Sequence, residues 1–359
     1  MMYSKRRRKV IRQLGKSRAQ AMLVSSPVNV QYLTGFKSSN GFILLCPAQT
    51  VVLTDPRYET ALKALAAAQG FTTAGLKKGL AKEIGTWCRK LGIRRLAYEA
   101  GHLTASTFSS LKKKNRSVKW IPAGNWIMNV RMIKEPEELS LMRTAIAVAQ
   151  KAFMSIAKKD WVGLREWEAV ELLEDRMRHY AGRAGFRATP SFEAIVAAGE
   201  NAAVPHHSPG TTRIRKGMLL KVDWGVKIAG YCSDTTRTLF LGTPDARFRK
   251  IYGTVLRAQL AAIRALKPGA QAKQADLAAR RAIERAGYGN AFTHGTGHQI
   301  GMQVHEGFGL AKAAKERMKP GMIFTVEPGI YLPGWGGVRI EDMVLITPAG
   351  HEVMTSVPK

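Results

Sequence analysis

Four acidic residues stand alone in apolar, β-rich runs, and they constrain this chain more than any other feature. Asp223 ends the run MLLKV, Asp234 opens TTRTLFLG, Glu327 follows MIFTV, and Glu341 lies between GVRI and MVLI. Strands of this composition are buried, and burying an ionised carboxylate is expensive unless it is paired or bound to a metal. Five of the eight histidines (His206, His207, His294, His298 and His305) fall in the same half of the chain. Four such acids and a histidine cluster need a common explanation, and a pair of divalent cations supplies one. Four carboxylates carry −4 and two divalent ions +4; a bridging hydroxide leaves −1, which Arg339 can offset. Oxygen-rich ligation with an imidazole suits manganese, cobalt or zinc. A hairpin turning near Lys227–Gly230 brings Asp223 and Asp234 to one face. Arg339 and Glu341 are two apart on one strand and share a face.

The 359 residues are enough for two domains at roughly 150 residues each. With 45% hydrophobic and 23% charged residues, a fully disordered or fibrous chain is excluded. The three cysteines, Cys46, Cys88 and Cys232, are far apart and form no CxxC pair. That pattern fits a reducing compartment. There is no apolar run of about 18 residues, and the start MMYSKRRRKV is polar where a secretory signal is apolar. A cytoplasmic protein without a membrane span is therefore expected.

The net charge is +30. Residues 1–135 hold 25 basic and 5 acidic residues, and the first 50 hold no acid. Such a field attracts polyanions. No zinc finger or aromatic RNA-binding motif accompanies it, so nucleic acid is not an expected partner and the basic run reads as a solvated face.

Residues 6–18 read as a basic helix. Ala21–Ser25, Gly41–Cys46, Thr50–Thr54 and Arg95–Tyr98 read as strands, with a helix over Tyr58–Ala68. The alternation predicts a small α/β domain. Pro136, Glu137 and Glu138 form a helix start, because proline and acids suit the free N–H groups of a first turn. Leu139, Met142, Ile146, Ala149 and Phe153 continue it at helical spacing. Helices are also expected over residues 164–180, 247–266 and 274–286. Strands are expected over 192–198, 218–224, 231–241, 322–331 and 337–346.

The runs VDWGVKIAGYCSDTTRT, HGTGHQIGMQVHE, VEPGIY and GVRIED, in this order, resemble the pita-bread metallopeptidases, and within them the Xaa-Pro aminopeptidase and prolidase branch. NVQYLTGF, TDPRY and RMIKEPEELSLMRTA are similar to that branch's N-terminal domain and junction helix. The resemblance implies an α+β pita-bread catalytic domain over 133–359, preceded by a smaller α/β creatinase-like domain over 1–132. It implies homodimers, with the N-terminal domain helping to close the active site.

The resemblance also implies roles. Asp223, Asp234, His298, Glu327 and Glu341 would ligate two divalent ions, manganese first, with cobalt or zinc as alternatives. His206 would stabilise the reacting group and shuttle protons, His305 would contact the substrate carbonyl, and His294 would face the substrate. Arg339 would support the last ligand. Glu327 would take a proton from a metal-bound hydroxide's parent water and pass it to the leaving proline nitrogen. The implied reaction is removal of the first residue from peptides with proline at the second position.

Two features depart from the family pattern. Gln299 stands where a glycine is usual. Phe308 and Gly309 stand where many relatives carry proline and arginine, an arginine associated with the substrate carboxylate in dipeptidases. Three rivals stay open: a prolidase confined to dipeptides, a metal-free creatinase-like hydrolase, and a non-enzymatic binding module on the same fold. His207 reads as structural and Cys232 as buried filler.

Overall fold

The computed structural model describes residues 2–157 and 161–359, in two units, Met1–Arg131 and Met132–Lys359. In the first, the chain runs α1 (Met2–Ser17), β1 (Ala21–Val24), α2 (Pro27–Thr34), β2 (Gly41–Leu45), β3 (Thr50–Thr54), α3 (Glu59–Gln69), β4 (Thr72–Gly75), α4 (Leu80–Lys90), β5 (Arg95–Glu99), α5 (Ala105–Lys114), β6 (Lys119–Ala123) and α6 (Trp126–Arg131). The strands form one sheet in the order β4-β3-β2-β1-β5-β6. β1, β2 and β3 pair antiparallel and the outer pairings are parallel. Their β-branched and leucine-rich runs bury Leu23, Leu44, Val51 and Leu53 completely.

The basic first helix is not wholly a solvated face. Arg6 and Arg7 are buried. Arg6 donates to the Tyr32 carbonyl at 3.1 Å and its guanidinium lies 4.2 Å from the Tyr32 ring centre. Arg7 donates to the carbonyls of Leu33 (3.0 Å) and Gln69 (2.6 Å). Both arginines thus satisfy carbonyls at the ends of α2 and α3, where helices present unpaired acceptors and partial negative charge.

The second unit begins with α7 (Pro136–Ala157) and α8 (Glu166–Arg183), then β7 (Ala188–Pro190) and β8 (Ile195–Ala198). A long hairpin follows: β9 (Leu219–Trp224), β10 (Val226–Ile228), β11 (Tyr231–Cys232) and β12 (Thr235–Phe240). After α9 (Ala246–Ala265) and α10 (Lys273–Arg285) come β13 (Gly297–Gln299) and β14 (Glu306–Leu310). The second long hairpin is β15 (Ile323–Val326), β16 (Gly329–Leu332), β17 (Gly336–Arg339) and β18 (Asp342–Thr347), and β19 (Gly350–Val353) ends the sheet. α7 and α8 pack on the first hairpin. There Trp224 stacks on Phe153 at 4.1 Å and donates to the Ala149 carbonyl at 3.0 Å. α9 and α10 share a core with the second hairpin, including Ile251, Val255, Phe324 and Val344.

Three of the expected strands are broken. In the first hairpin Asp223 lies opposite Thr236 and Lys227 opposite Cys232, a single register that sets Gly225 opposite Asp234 in the gap. A Cβ on Gly225 would stand 2.0 Å from the Ser233 carbonyl oxygen, so only glycine permits this approach. The hairpin turns at Ala229 and Gly230, both left-handed (φ 49° and 94°), as two-residue hairpin turns of the right twist require. In the second hairpin Val326 lies opposite Asp342 and Gly329 opposite Arg339, which sets Glu327 opposite Glu341 in the gap. Pro328 beside Glu327 has no N–H for a ladder bond. Each break frees a carboxylate-bearing backbone from the pleat. Among the described residues no helix is long and apolar enough to cross a membrane.

Candidate metal centre

The two gaps and β13 converge on one cavity of about 320 Å³, lined by Asp223, Asp234, His298, Glu327, Glu341 and Arg339, with His206 and His305 on its wall. His298 Nε2 stands 3.6 Å from Asp234 Oδ2 and 3.4 Å from Glu327 Oε1. Single donor atoms of Asp234, His298 and Glu341 all fall within 4.8 Å of one another.

The hairpins hold each other's acids. Thr236 of the first donates its hydroxyl to Glu341 of the second at 2.6 Å. Arg339 of the second pairs through Nη2 with Asp223 of the first. Arg339 Nε donates to Thr236 Oγ1 at 3.0 Å, and Nη1 donates to Tyr331 Oη (3.2 Å) and the Pro205 carbonyl (3.1 Å). Asp223 Oδ1 is buried and, among the described residues, has no hydrogen-bond partner.

Electrostatics makes this donor set fit a cation. Burial, then repulsion from Glu341, Asp223 and Glu327, raises the Asp234 carboxyl well above its ordinary range. Burial, then Glu327 and Asp223, does the same to Glu341. Burial pushes Glu327 up to about 7 against the pull of Arg339. One guanidinium does not neutralise four carboxylates. An unpartnered buried oxygen, three carboxyls raised by burial and mutual repulsion, and an imidazole are together a donor set that fits a divalent cation.

The imidazoles are ordered. His298 Nδ1 faces the Gln299 carbonyl at 3.2 Å. A carbonyl only accepts, so Nδ1 carries the proton and the Nε2 lone pair faces the acids. The His305 ring centre lies 4.2 Å from that of His298. Burial, then His298, lowers the His305 pKa. His294 borders an adjoining recess of about 190 Å³, together with His206, His298 and His305. Its Nδ1 donates to the Gly295 carbonyl at 2.7 Å, and its Nε2 lies 2.8 Å from Tyr331 Oη. Burial pushes His294 down to about 4, so it is neutral and Tyr331 donates to it. Both its nitrogens are engaged, and its ring wall is what it offers a ligand. His207 points its Nε2 at Glu166, 2.8 Å away.

Gln299 is fully buried, accepts the Phe308 N–H at 3.2 Å and sits where the β13–β14 register shifts. Gly309 lies opposite His298. Among the described residues Arg339 is the only lysine or arginine lining either cavity, and its donors are committed. Thr236, Tyr331, Lys221 and Glu166 also shape the site without having been singled out. Thr236 had a signal, standing two residues after Asp234, and so did Lys221, a charge inside the apolar run MLLKV.

A profile of metallopeptidase family M24 matches residues 140–348, and one for the creatinase/prolidase N-terminal domain matches residues 6–133. The Xaa-Pro dipeptidase of Pyrococcus furiosus is 32% identical over 354 residues, covering 98% of this chain and 97% of the relative. Among solved structures, the Xaa-Pro dipeptidase from Bacillus anthracis matches with a TM-score of 0.93 at 34% identity, covering 99% of this chain and 98% of that one. The X-Pro aminopeptidase from Thermotoga maritima matches with a TM-score of 0.90 at 28% identity, covering 98% of each. The chain belongs to metallopeptidase family M24 and has its pita-bread fold, with a creatinase-type N-terminal domain.

Proposed function

We propose that the protein hydrolyses the bond between an N-terminal residue and proline, and that it prefers peptides extended beyond the proline. The observation that carries this reading is the convergence of four buried carboxylates and His298 on one cavity, in a chain whose relatives are named for Xaa-Pro peptides. Asp223, Asp234, His298, Glu327 and Glu341 would hold two divalent ions, with manganese favoured by the oxygen-rich set. When bound, such ions supply Lewis-acid polarisation and make water a nucleophile at neutral pH.

The protein's own groups do the rest. Glu327 accepts a proton and returns it to the leaving proline nitrogen. His206 and His305 donate towards the carbonyl oxygen as negative charge develops there. Arg339 fixes Asp223 and, through Thr236, Glu341. Tyr331 locks the His294 ring as a wall of the adjoining recess.

The preference for longer peptides follows from charge. A dipeptidase recognises a carboxylate directly after proline, and a forked arginine does this well. Gly309 offers none, and Arg339 is occupied. Relatives named Xaa-Pro dipeptidase support the second reading, a dipeptide-only enzyme of the same mechanism. The experiment compares kcat/KM for Xaa-Pro and Xaa-Pro-Xaa at physiological salt, where long-range fields are screened over about 8 Å. The tripeptide should be the better substrate. A persistent dipeptide preference would replace the first reading with the second, and no cleavage of either would remove both.

A further inference from the structure

Lys221 lies on β9 two residues before Asp223, between Leu220 and Val222. It is fully buried. An apolar residue would suit this strand position at far lower solvation cost, so the amine needs a reason. Its Nζ donates to three carbonyls, Ala202 (3.2 Å), Val204 (2.6 Å) and Pro205 (3.2 Å). All three neighbours are acceptors, which suits a side chain that offers N–H donors. All three acceptors belong to the segment that leads directly into His206. The Pro205 carbonyl, whose peptide joins His206, also accepts from Arg339 at 3.1 Å.

Both ends of the loop are held by a carboxylate. Glu166, also fully buried, accepts from the Ala198 N–H (2.8 Å), Asn201 Nδ2 (2.9 Å) and the Gly210 N–H (3.0 Å), and meets His207 Nε2 at 2.8 Å. The loop is therefore held in its middle by the buried Lys221 amine, which gathers its carbonyls, and at both ends by the buried Glu166 carboxylate, which gathers its donors. His206 follows the part held by Lys221.

We infer that Lys221 is a positioning residue: by gathering the Ala202, Val204 and Pro205 carbonyls it sets where His206 stands against the acidic cluster. The inference rests on the hydrolytic reading of the site for its kinetic consequence only. Lys221 touches neither substrate nor reacting atoms and acts through His206.

The test is a double-mutant cycle with Lys221→Met, His206→Ala and both together, on protein of matched metal content. A small misplacement of a reacting group costs up to about 10²-fold. Lys221→Met should lower kcat about tenfold or more with KM changed less than about threefold. In the His206→Ala background it should lower kcat less than about twofold, because the group it positions is gone. Amide exchange should quicken at residues 203–210 and not in α7 or α8. Lys221→Gln, which keeps donors and folds more readily, should fall between wild type and Met in both measurements. Equal kcat losses in the two backgrounds, or unchanged loop exchange in both variants, would overturn the inference. If the wild type cleaves no Xaa-Pro peptide, the functional reading fails, and the exchange measurement still decides whether Lys221 holds the loop.

Discussion

The two long hairpins of the second unit solve the same problem by different means. Each keeps one register along its length and opens a gap midway, and each hairpin delivers two acids to the cavity, Asp223 from within the β9 ladder and the other three from the gaps. In the first, the gap is steric: Gly225 allows the Ser233 carbonyl to approach, and the short Asp223 and Asp234 reach the cavity from staggered positions. In the second, the gap contains Pro328, which lacks a ladder donor, and the longer Glu327 and Glu341 face each other directly. Neither hairpin supports its own acids alone. Thr236 of the first steadies Glu341, and Arg339 of the second steadies Asp223. A site braced across two elements is incomplete unless both are docked, so its geometry reports the tertiary fold.

The largest effect should come from the second hairpin. Glu327→Gln keeps the size but removes the proton acceptor and one ligand charge. It should lower kcat at least about 10²-fold while the protein stays folded. Near-normal turnover by a folded, metal-loaded Glu327→Gln protein would refute the role.

Cross-bracing is tested by Thr236→Val, which leaves every acid in place. Loss of a hydrogen bond to a ligand should weaken metal affinity about 10–100-fold. Competition with a chelator measures it, and an unchanged affinity would mean that each hairpin holds its own acids.

A smaller effect concerns pH. In metal-free protein Glu327 is raised to about 7, and Asp234 and Glu341 are raised too. Unfolded carboxyls titrate near about 4. Between about 4 and about 7 these carboxyls bind more protons in the native state, so their contribution to stability falls as pH rises, while the imidazoles of His294, His298 and His305, lowered by burial, contribute in the opposite sense. Saturating manganese should reverse the trend, because ligands bind deprotonated. Denaturation midpoints across this range, with and without metal and for Glu327→Gln beside wild type, isolate the carboxyl contribution; a metal-free variant whose stability rises no more steeply with pH than that of wild type would contradict the raised Glu327 carboxyl.

The smallest effects separate the two gaps. Gly225→Ala forces a Cβ against the Ser233 carbonyl and should cost about 1–3 kcal/mol. Pro328→Ala should cost less than about 1 kcal/mol. The reverse order in denaturant titrations would mean that the second gap, not the first, depends on its local residue.

Much of this was legible in the sequence, for identifiable reasons. Charged residues in apolar strands are costly, so Asp223, Asp234, Glu327 and Glu341 stood out before any geometry. α7 and α9 are long enough to show helical spacing. α2, of eight residues, is too short for that, although Pro27 and the left-handed Gly35 mark its ends. The strand breaks were hidden because register continues across them, so alternation reads through. Lys221 met the same criterion, a charge in the apolar run MLLKV, but like Tyr331 it gave no sign of its role, since nothing in a sequence tells which carbonyl or imidazole a buried polar group meets. The burial of Arg6 and Arg7 was hidden for the same reason: their acceptors are helix-end carbonyls, 26 positions away for Tyr32 and Leu33.

The most direct measurement is metal content against activity. Protein stripped by a chelator and titrated with manganese should regain Xaa-Pro hydrolysis only as ions bind, reaching two per chain at full activity. Full hydrolysis by protein shown to be metal-free would contradict the dinuclear site and favour a metal-independent hydrolase on the same fold.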